Sequence, residues 1–353
     1  MSDLIVKVCN VDKIEKHPNA DRLSIVTIKG WNCIVGLNQY KEGDLVIFCP
    51  PDSIIPIDII EKYKLEYMGK NRRVKTVKLR KAISQGLILD IPEGKKWAEG
   101  KDVAKELGIT KYEPPVSTRL QVAGQPSKRK LNPSFDKYTD INNIKHYNNL
   151  FKIGEEVVIT EKIHGTNFRA GNLKRYNKGI WNKIKCFLFG KYEFVYGSHN
   201  VQIIGHKGRN CFYGEDVYGR MGAKYKLGEI IPKDFIFYGE IHGGNIQDLN
   251  YDLKDIDLRI FDIKYKGEYL DWNVVELVCA TMELKTVPVL YQGILEEGMI
   301  EQFTRGLSTI ANHIREGCVI KPSIEDNTIV IGRKILKSIN SEYLVRENRT
   351  EDH

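Results

Sequence analysis

The sequence predicts an α+β protein of two domains, in which mainly antiparallel sheets are accompanied by flanking helices. Its 353 residues exceed the length of most single domains. Short strand patterns separated by Gly and Pro fill residues 1–112, whereas residues 134–353 combine blocks of strands with isolated helical patterns. Strand blocks without a regular alternation of strands and helices are typical of α+β folds with antiparallel sheets.

Residues 1–112 are predicted to form a small β-barrel or sandwich. The stretch "LSIVTIKGWNCIVG" contains two strand patterns around a Lys-Gly turn, and "GDLVIFCP" and "GLILDIP" are further strands bounded by Gly and Pro. Helical patterns occur at "IDIIEKYKLEYM" and "KDVAKELG". Many short strands in one stretch of this length are expected to close into a barrel or to stack as a sandwich.

A polar stretch over residues 113–133, rich in Pro, Ser, Gly and basic residues, predicts a linker. The strands predicted after it are "EEVVITEK", "YEFVYGS", "DFIFYGEIHG", "DLRIFDIKYKG", "GCVIKP" and "TIVIGRKILKS". Helices are predicted at "DWNVVELVCATMEL" and "EEGMIEQFTRGLSTIANHI". The sequence has neither a GxGxxG after a strand nor a GxxxxGK[ST], which argues against Rossmann and P-loop folds.

The composition limits the classes of protein to which this sequence can belong. No apolar run approaches the roughly 20 residues that span a bilayer, and no signal peptide precedes the first strands, so a cytoplasmic or nuclear location is expected. The seven cysteines are scattered without a CxxC pair, which argues against a disulfide framework and a structural zinc site.

The net charge of +8 is modest, but the basic residues are clustered. Lys128, Arg129 and Lys130 are consecutive, and residues 174–191 carry several lysines among aromatic side chains. Basic residues interleaved with aromatics suit a phosphate backbone and stacked bases. The alternative is that these stretches are a solvated loop and a solvated hairpin.

The stretch "TEKIHGTNFR" places Lys162 directly after a strand pattern, at the start of a polar turn. Lys162 is either an ordinary solvated lysine or a nucleophile. A lysine becomes nucleophilic when it is desolvated or crowded by another cation, because both disfavour the ammonium form. Attack on a phosphate also requires a divalent metal, carboxylates to hold it, and further cations on the phosphate oxygens.

Later strands supply side chains of these types. Glu240 ends "FIFYGE", Phe261 lies in "RIFDIK", Glu316 precedes "GCVIKP", and Lys334 and Lys337 lie in "GRKILKS". Each of these residues alone has an ordinary structural explanation, as a turn residue, a core aromatic or a solvated edge. Their occurrence together, each beside an apolar strand, favours a site for phosphoryl chemistry.

These motifs resemble those of the RNA ligases within the covalent nucleotidyltransferase superfamily. "EKIHGTNF" is similar to the nucleophile motif, "FYGEIHG" to the third motif, "RIFDI" to motif IIIa, "EGCVIKP" to the fourth and "RKILKS" to the fifth. In the first half, "HPNADRLSIVTIKGWNCIVG" and "KEGDLVIFCPPDSIIP" resemble the OB domain that precedes the ligase domain in one group of RNA ligases. "HPNADRL" is also similar to the tRNA-binding OB module of synthetase-associated proteins.

The resemblance implies an ATP-dependent RNA ligase with an OB-type barrel over residues 1–112 and an adenylyltransferase domain over residues 134–353. Such an enzyme joins 3′-hydroxyl and 5′-phosphate ends through a lysyl-AMP intermediate and needs Mg²⁺ or Mn²⁺. The expected substrate is a nicked duplex with RNA on the 3′-hydroxyl side, which the OB domain would clamp through a basic face. A monomer without membrane attachment is expected.

The resemblance also implies roles for individual residues. Lys162 would be the catalytic nucleophile, and Glu316 and Glu240 would hold the metal. The residues implied in nucleotide binding are Glu161, Ile163, His164, Asn167, Arg169, Glu240, Phe261, Lys334 and Lys337, with Gly165 shaping the turn. Contacts to the nucleic acid are implied for Ser198, His199 and Asn200.

Two positions depart from the family pattern. Fifth motifs often contain Lys-x-Lys, but Ile335 stands at the first of these positions, which leaves Lys337 as the better candidate and the role of Lys334 in doubt. His199 occupies a position where related ligases often have arginine, which puts a contact to the RNA strand there in doubt.

Two alternatives stay open at the level of sequence. A DNA ligase or a GTP-using capping enzyme would share the chemistry, although both usually have aspartate where "KIHG" has histidine. A non-catalytic nucleic-acid-binding protein would share the folds, although it would have no reason to keep Lys162, Glu240, Glu316 and Lys337.

Overall fold

A computed structural model of the protein describes residues 4–112, 132–176, 184, 186–188, 190–203 and 215–346. The predicted linker lies outside the described residues except for its last two positions. The basic run Lys128, Arg129 and Lys130 and most of residues 177–191 also lie outside the described residues.

Strands dominate the described part of the chain. In chain order they are β1 (Lys7–Asn10), β2 (Lys13–Lys16), β3 (Leu23–Ile28), β4 (Trp31–Gly36), β5 (Leu45–Cys49), β6 (Ser53–Ile54), β7 (Thr76–Leu79), β8 (Ala82–Gln85), β9 (Leu87–Leu89), β10 (Thr110–Lys111), β11 (Asn142–Asn143), β12 (Glu156–Glu161), β13 (Thr166–Lys174), β14 (Tyr192–Gly197), β15 (Gln202–Ile203), β16 (Phe235–His242), β17 (Asp257–Tyr265), β18 (Glu268–Tyr269), β19 (Val289–Ile294), β20 (Gly317–Pro322), β21 (Asn327–Thr328), β22 (Gly332–Arg333) and β23 (Leu336–Ile339).

Helices are fewer and short. The α-helices are α1 (Ile57–Tyr63), α2 (Val217–Lys224), α3 (Leu227–Ile230), α4 (Trp272–Thr281), α5 (Met299–Thr304) and α6 (Ser341–Leu344), and 3₁₀ turns occur at Glu66–Met68 and Ile144–His146. None of these helices is long and apolar enough to cross a membrane. The predicted α+β class with mainly antiparallel pairing is confirmed.

The described residues divide into two compact units. The first comprises residues 4–112, 140–152 and 336–346, and the second comprises residues 132–139 and the described residues between 153 and 335. This division differs from the predicted boundaries, because two segments of the predicted second domain belong to the first unit. Those segments are joined to each other by the parallel pairing of β11 with β23.

The first unit has two apolar cores on opposite faces of β5. Ile47 packs in one core with Val6 and Val8, and Phe48 packs in the other with Trp31. Successive side chains of a strand point to opposite faces, so one apolar strand can supply both cores. The strands around it form the antiparallel sheets β1-β5-β9, β2-β3-β4, β6-β10 and β7-β8.

The second unit contains a six-stranded antiparallel sheet with the order β15-β14-β13-β16-β17-β18. Outside this sheet, β12 pairs antiparallel with β19 on one side and β20 on the other. Residues 162–165 connect β12 directly to β13. The segment that contains Lys162 therefore runs from one sheet to the other.

Three predictions of secondary structure were wrong. "KDVAKELG" forms turns that end at Gly108 (φ +65°), and the helix predicted over residues 296–314 ends at Thr304, shortly before Gly306 (φ +101°). Glycine at positive φ ends a helix readily because it has no Cβ to clash. The single strand predicted at "TIVIGRKILKS" is instead the short hairpin β21–β22 followed by β23.

A buried group of charges joins β17, β20 and β22. The fully buried carboxylate of Asp262 accepts from Lys321 Nζ at 2.9 Å and lies 2.7 Å from the Arg333 guanidinium. Tyr138 also donates its hydroxyl to Asp262, at 2.7 Å. Burial opposes the ionisation of Asp262, but the two cations lower its pKa below the ordinary value.

We expect Asp262→Asn to lower the free energy of unfolding by about 3 kcal/mol, because Lys321 and Arg333 then share Glu325 as their remaining counter-charge. Urea unfolding followed by tryptophan fluorescence measures this. Asp255→Asn, which removes an exposed carboxylate paired with Arg220, is the control and should cost far less, because solvent screens exposed ion pairs. Equal losses in the two variants would contradict the prediction.

Candidate active site

Lys162 lies just beyond β12, where the chain leaves one sheet for the next. The Lys162 N–H continues the pairing with β20 by donating to the Gly317 carbonyl oxygen at 3.0 Å. Lys162 Nζ lies 2.5 Å from Glu316 Oε1, and 17% of the lysine side chain is exposed. Neighbouring strands thus bring together two residues that are 154 positions apart in the sequence.

Glu316 is a buried carboxylate that is ionised at neutral pH. Burial alone would raise its pKa, but the Lys162 ammonium and, after it, the nearby His164 ring lower the pKa of Glu316 to about 2. Only 1% of the side chain is exposed. A buried negative charge stabilises the cation beside it, so the resting pair is an ion pair.

The His164 ring lies between two carboxylates. Its Nδ1 is 3.6 Å from Glu316 Oε2, and its Nε2 is 3.2 Å from Asp248 Oδ1. The His164 backbone N–H donates to the Tyr251 hydroxyl oxygen at 2.6 Å. The ring is therefore fixed from both sides, and one of its neighbours is the carboxylate that pairs with the lysine.

Gly165 marks a very close approach between this segment and β16. A Cβ at this position would lie 2.1 Å from the Ile241 carbonyl oxygen and 3.1 Å from Glu240 Cγ, so a larger residue does not fit. β13 then pairs with β16 so that Asn167 lies opposite Glu240. Ile163 is buried and forms part of the packed base of the turn.

Glu240 differs from Glu316 in its ionisation. Burial raises the pKa of Glu240 to about 8, with the Lys162 ammonium opposing the shift and the Glu316 charge adding to it. At neutral pH the site therefore holds one ionised and one largely protonated carboxyl group. Environments that shift the pKa values of two neighbouring carboxyl groups in opposite directions are typical of catalytic sites.

Besides Glu316 Oε2, two further buried oxygen atoms beside the lysine lack a hydrogen-bond donor within the described residues. Glu161 Oε2 accepts from Thr309 N at 2.8 Å and from Thr309 Oγ1 at 2.7 Å, whereas Glu161 Oε1 has no partner. Asn167 Oδ1 likewise has none. Buried acceptors are normally satisfied, so both atoms are available to donors of a bound molecule.

Arg169 is held within the protein. Its Nε donates to the Ser198 carbonyl oxygen at 2.9 Å and its Nη1 to the Phe135 carbonyl oxygen at 2.6 Å. The guanidinium lies 4.1 Å from the centroid of the Phe135 ring. These contacts support the loop that follows β14, and the predicted contact of Arg169 with a nucleotide stays a prediction.

That loop contains the three residues predicted to contact nucleic acid, Ser198, His199 and Asn200. Asn200 is exposed and its Oδ1 accepts from Lys137 Nζ at 2.8 Å. Ser198 and His199 are partly exposed. The three therefore lie on an accessible loop, and their role stays a prediction.

Phe261 occupies a β-bulge. The pairing of β16 with β17 shifts between Tyr238 and Gly239, which leaves Phe261 as the extra residue. Its ring meets that of Tyr138 edge-on, with centroids 4.7 Å apart. A bulge turns a side chain away from the regular alternation of the strand, as is often found beside active sites.

The lysines of the fifth motif lie in different units. Lys334 Nζ pairs with Glu155 Oε2 at 2.7 Å in the second unit. Arg333 is committed to the buried ion pair with Asp262. Lys337 belongs to the first unit, where it is buried on β23.

Among the described residues, no group of three or more His, Cys, Asp or Glu side chains forms a metal site. The carboxyl groups of Glu316 and Glu240 nevertheless fit a hard cation. Mg²⁺ usually binds through one or two carboxylates and completes its shell with water and substrate phosphates. The donor set thus suits a metal that arrives with a phosphorylated substrate.

Comparison with known proteins identifies the family. The model of the RNA ligase family matches residues 155–339, which is more than half of the chain. The chain belongs to the RNA ligase family. An OB-fold domain model matches residues 5–91, which confirms the predicted OB domain of this RNA ligase. No curated protein matches the chain in sequence.

Solved structures of the Naegleria gruberi RNA ligase are similar in fold. A variant with ATP and Mn has a TM-score of 0.73 and 23% sequence identity, covering 96% of this chain and 98% of that one. The complex with PPi has a TM-score of 0.72 and 23% identity, with coverages of 97% and 98%. A variant with AMP and Mn has a TM-score of 0.73 and 23% identity, with coverages of 96% and 98%.

Sequence patterns did not indicate three residues of the site. Asp248 and Tyr251 lie in the loop after β16 and contact His164. Thr309 lies in the stretch predicted as helix and binds Glu161. None belongs to a recognisable motif, and the helical pattern around Thr309 pointed to a different structure, because each of the three reaches the site through tertiary packing of a loop.

We expect Glu240→Gln to change how stability depends on pH. The folded protein binds the Glu240 proton more tightly than the unfolded chain, so this group's contribution to stability is complete below about pH 4.5 and is lost as the pH rises through about 8. Glu240→Gln should therefore gain stability relative to the wild type between pH 5.5 and 8.5, measured by urea unfolding. Parallel profiles would contradict this.

Glu316→Gln should change the pH dependence of stability in the opposite direction to Glu240→Gln. The pKa of Glu316 is lowered in the fold, so its contribution is present above about pH 4.5 and is lost as the pH falls towards about 2. This variant should be less stable than the wild type throughout the same pH range.

Proposed function

We propose that this RNA ligase is ATP-dependent and joins 3′-hydroxyl and 5′-phosphate ends through a covalent adenylate on Lys162. The observation that carries the proposal is the ion pair of Lys162 with the buried Glu316, in a segment that also contains His164. The ion pair fixes the position of the Lys162 amine at the end of the strand, and the amine becomes a nucleophile for phosphorus once its contact with Glu316 is broken and its extra proton is lost. Structures of the similar Naegleria enzyme with ATP, AMP and PPi support the same reaction.

Recognition of the nucleotide would use the buried acceptors beside the lysine. Adenine carries an amino donor at the position where guanine carries a carbonyl acceptor. The unpartnered Glu161 Oε1 and Asn167 Oδ1 suit a donor, and in this proposal the donor is the adenine amino group. Phe261, turned by its bulge, would stack on the base.

Attack requires Lys162 Nζ without its extra proton. The contact with Glu316 must break first, because that carboxylate stabilises the cationic amine. Nζ then forms a bond to the α-phosphorus, the bond from this phosphorus to the β-phosphate oxygen breaks, and pyrophosphate leaves. Glu316, with a pKa near 2, is too weak a base to keep the proton, which therefore passes to solvent water, to which 17% of the lysine side chain is exposed.

Glu316 and Glu240 would hold Mg²⁺ or Mn²⁺. The bound metal supplies positive charge that stabilises the phosphate oxygens during displacement. Lys334 and Lys337 stay predicted phosphate contacts.

The two later steps join the polynucleotide. AMP passes from Lys162 to a 5′-phosphate, and a 3′-hydroxyl then displaces AMP from this end to form the phosphodiester. Each step is an in-line displacement in which positioning and electrostatics carry catalysis. A nicked duplex with RNA on the 3′-hydroxyl side, a monomeric enzyme and a cytoplasmic or nuclear location complete the proposal.

The test is incubation with α-labelled ATP and Mg²⁺ or Mn²⁺, followed by denaturation and detection of label on the protein. We expect an acid-labile, alkali-stable adduct in the wild type and none in Lys162→Ala. Lys174→Ala, which removes an exposed lysine at the end of β13, is the matched control and should label normally.

Other results would point to the rival functions. Label from GTP alone would indicate a capping enzyme. Absence of label on freshly purified, AMP-free protein would favour a non-catalytic nucleic-acid-binding protein. Sealing of nicked DNA but not of nicks with RNA at the 3′ side would contradict the proposed substrate.

Asp248 should act as a positioning residue for His164. We expect Asp248→Ala to slow formation of the adenylate by about 10–100-fold, as is usual when a support of a site residue is lost. Single-turnover labelling measures the rate, with Asp255→Ala in the same loop as the control. An unchanged rate would show that His164 needs no support from Asp248.

A further inference from the structure

Residues 70–81, "KNRRVKTVKLRK", form the most basic stretch of the first unit's described residues, with seven basic residues and no acidic one. They include β7 and its turn to β8. One of the seven, Arg73, is buried and pairs with Asp52 at 2.6 Å, and its guanidinium stacks on Tyr112 at 4.1 Å. This residue fixes the base of the stretch.

Four cations of the stretch remain exposed on the hairpin of β7 and β8. They are Lys75, Lys78, Arg80 and Lys81. Within the described part of the chain, none of the four forms an ion pair with an acidic side chain. Four like charges so close together repel one another, and a polyanion relieves that repulsion.

The turn of this hairpin has an unfavourable sequence for its conformation. Arg80 and Lys81 have φ values of +44° and +73°, and the flanking residues Leu79 and Ala82 are paired. A two-residue turn with both φ values positive prefers Asn-Gly, because larger side chains are strained there. The chain therefore carries two cations at the tip at a conformational cost.

The motif "HPNADRL" anchors this tip. His17 is 2% exposed, and its Nδ1 accepts from the Asn19 backbone N–H at 3.0 Å. The proton is therefore on Nε2, which donates to the Leu79 carbonyl oxygen at 3.2 Å. The Asn19 side-chain amide donates to the Arg80 carbonyl oxygen at 3.1 Å. The backbone of the strained turn is thus fixed before any ligand binds.

We propose that the β7–β8 hairpin of the OB domain binds the phosphate backbone of the RNA substrate. The inference rests on the proposed function for the identity of the polyanion. Exposed, unpaired cations on a rigid turn suit contacts to phosphates that are independent of base sequence. The role of the "HPNADRL" segment is to hold the turn that presents them.

The main experiment removes the four charges with Lys75→Gln, Lys78→Gln, Arg80→Gln and Lys81→Gln in the full chain. Affinity for a nicked duplex with RNA on the 3′-hydroxyl side is measured between about 50 and 200 mM KCl. We expect about tenfold or greater loss of affinity near 0.1 M salt, and a slope of log K against log[salt] that is smaller in magnitude by about 2–4.

The matched control removes four other exposed lysines of the first unit. It combines Lys41→Gln, Lys95→Gln, Lys96→Gln and Lys105→Gln. The net charge changes equally, so the control should keep most of the affinity and slope if the location of the charges matters. An equal loss in the control would overturn the proposal in favour of a general charge effect.

A second variant tests whether a loss of RNA affinity comes from the removed charges or from impaired folding. Arg80→Asn with Lys81→Gly introduces the pair that the turn prefers, so its melting temperature should equal or exceed that of the wild type. Its RNA affinity should nevertheless fall, by severalfold. Full affinity in this variant and in the fourfold variant would overturn the proposal.

Adenylate formation, which needs no RNA, is measured in every variant as a separate report on the Lys162 site. If the wild type forms no adenylate, the proposed function fails, while the RNA titrations still decide the role of the hairpin. Vesicles containing phosphatidylserine are titrated in parallel. Hairpin-dependent binding to these vesicles with unchanged RNA affinity would overturn the proposal in favour of a membrane surface.

Discussion

The ion pair of Lys162 with Glu316 is the interaction on which the geometry of the catalytic unit depends. It requires β12 and β20 to be neighbours and leaves the second carboxylate oxygen facing the His164 ring. The chain must then cross to the larger sheet within three residues. Gly165 permits this crossing because a side chain there would collide with the backbone of β16. The residues of the segment "EKIHGTNF" are thus explained by one buried charge and one close approach of two strands.

Much of this arrangement could be predicted from the sequence, because the residues adjoin strands whose apolar patterns are clear. Lys162 and Glu316 each adjoin such a strand, and pairing brings them together. Asp248 and Thr309 could not be predicted, since no local pattern tells where a loop folds back. The helix predicted around Thr309 failed because a helical pattern of apolar residues does not reveal that Gly306 has a positive φ. That residues 140–152 belong to the first unit could not be predicted either, because this depends on tertiary contacts such as that of the Lys145 ammonium with the Trp31 ring.

In the first unit, the motif "HPNADRL" is conspicuous in sequence, but the contacts that explain it involve residues that are distant in sequence. "HPNADRL" is favourable for a turn, and the turn alone would account for its Pro, Asn and Asp. The buried His17 is not explained in that way. Its ring accepts from one turn and donates to another, so a neutral imidazole connects segments that are 62 residues apart.

The two carboxyl groups beside Lys162 determine the resting state of this lysine. With a pKa near 2, Glu316 is charged and pairs with the lysine, whereas Glu240, with a pKa near 8, keeps its proton at neutral pH. Glu316 and Glu240 are the carboxyl groups that would hold a divalent cation, which would supply positive charge beside the lysine. Such a charge at Glu316 would weaken the hold of this carboxylate on the Lys162 ammonium, because two cations would then share one negative charge. In the resting arrangement the Lys162 amine is therefore held as an ammonium by Glu316, and freeing this amine requires that the contact with Glu316 be weakened.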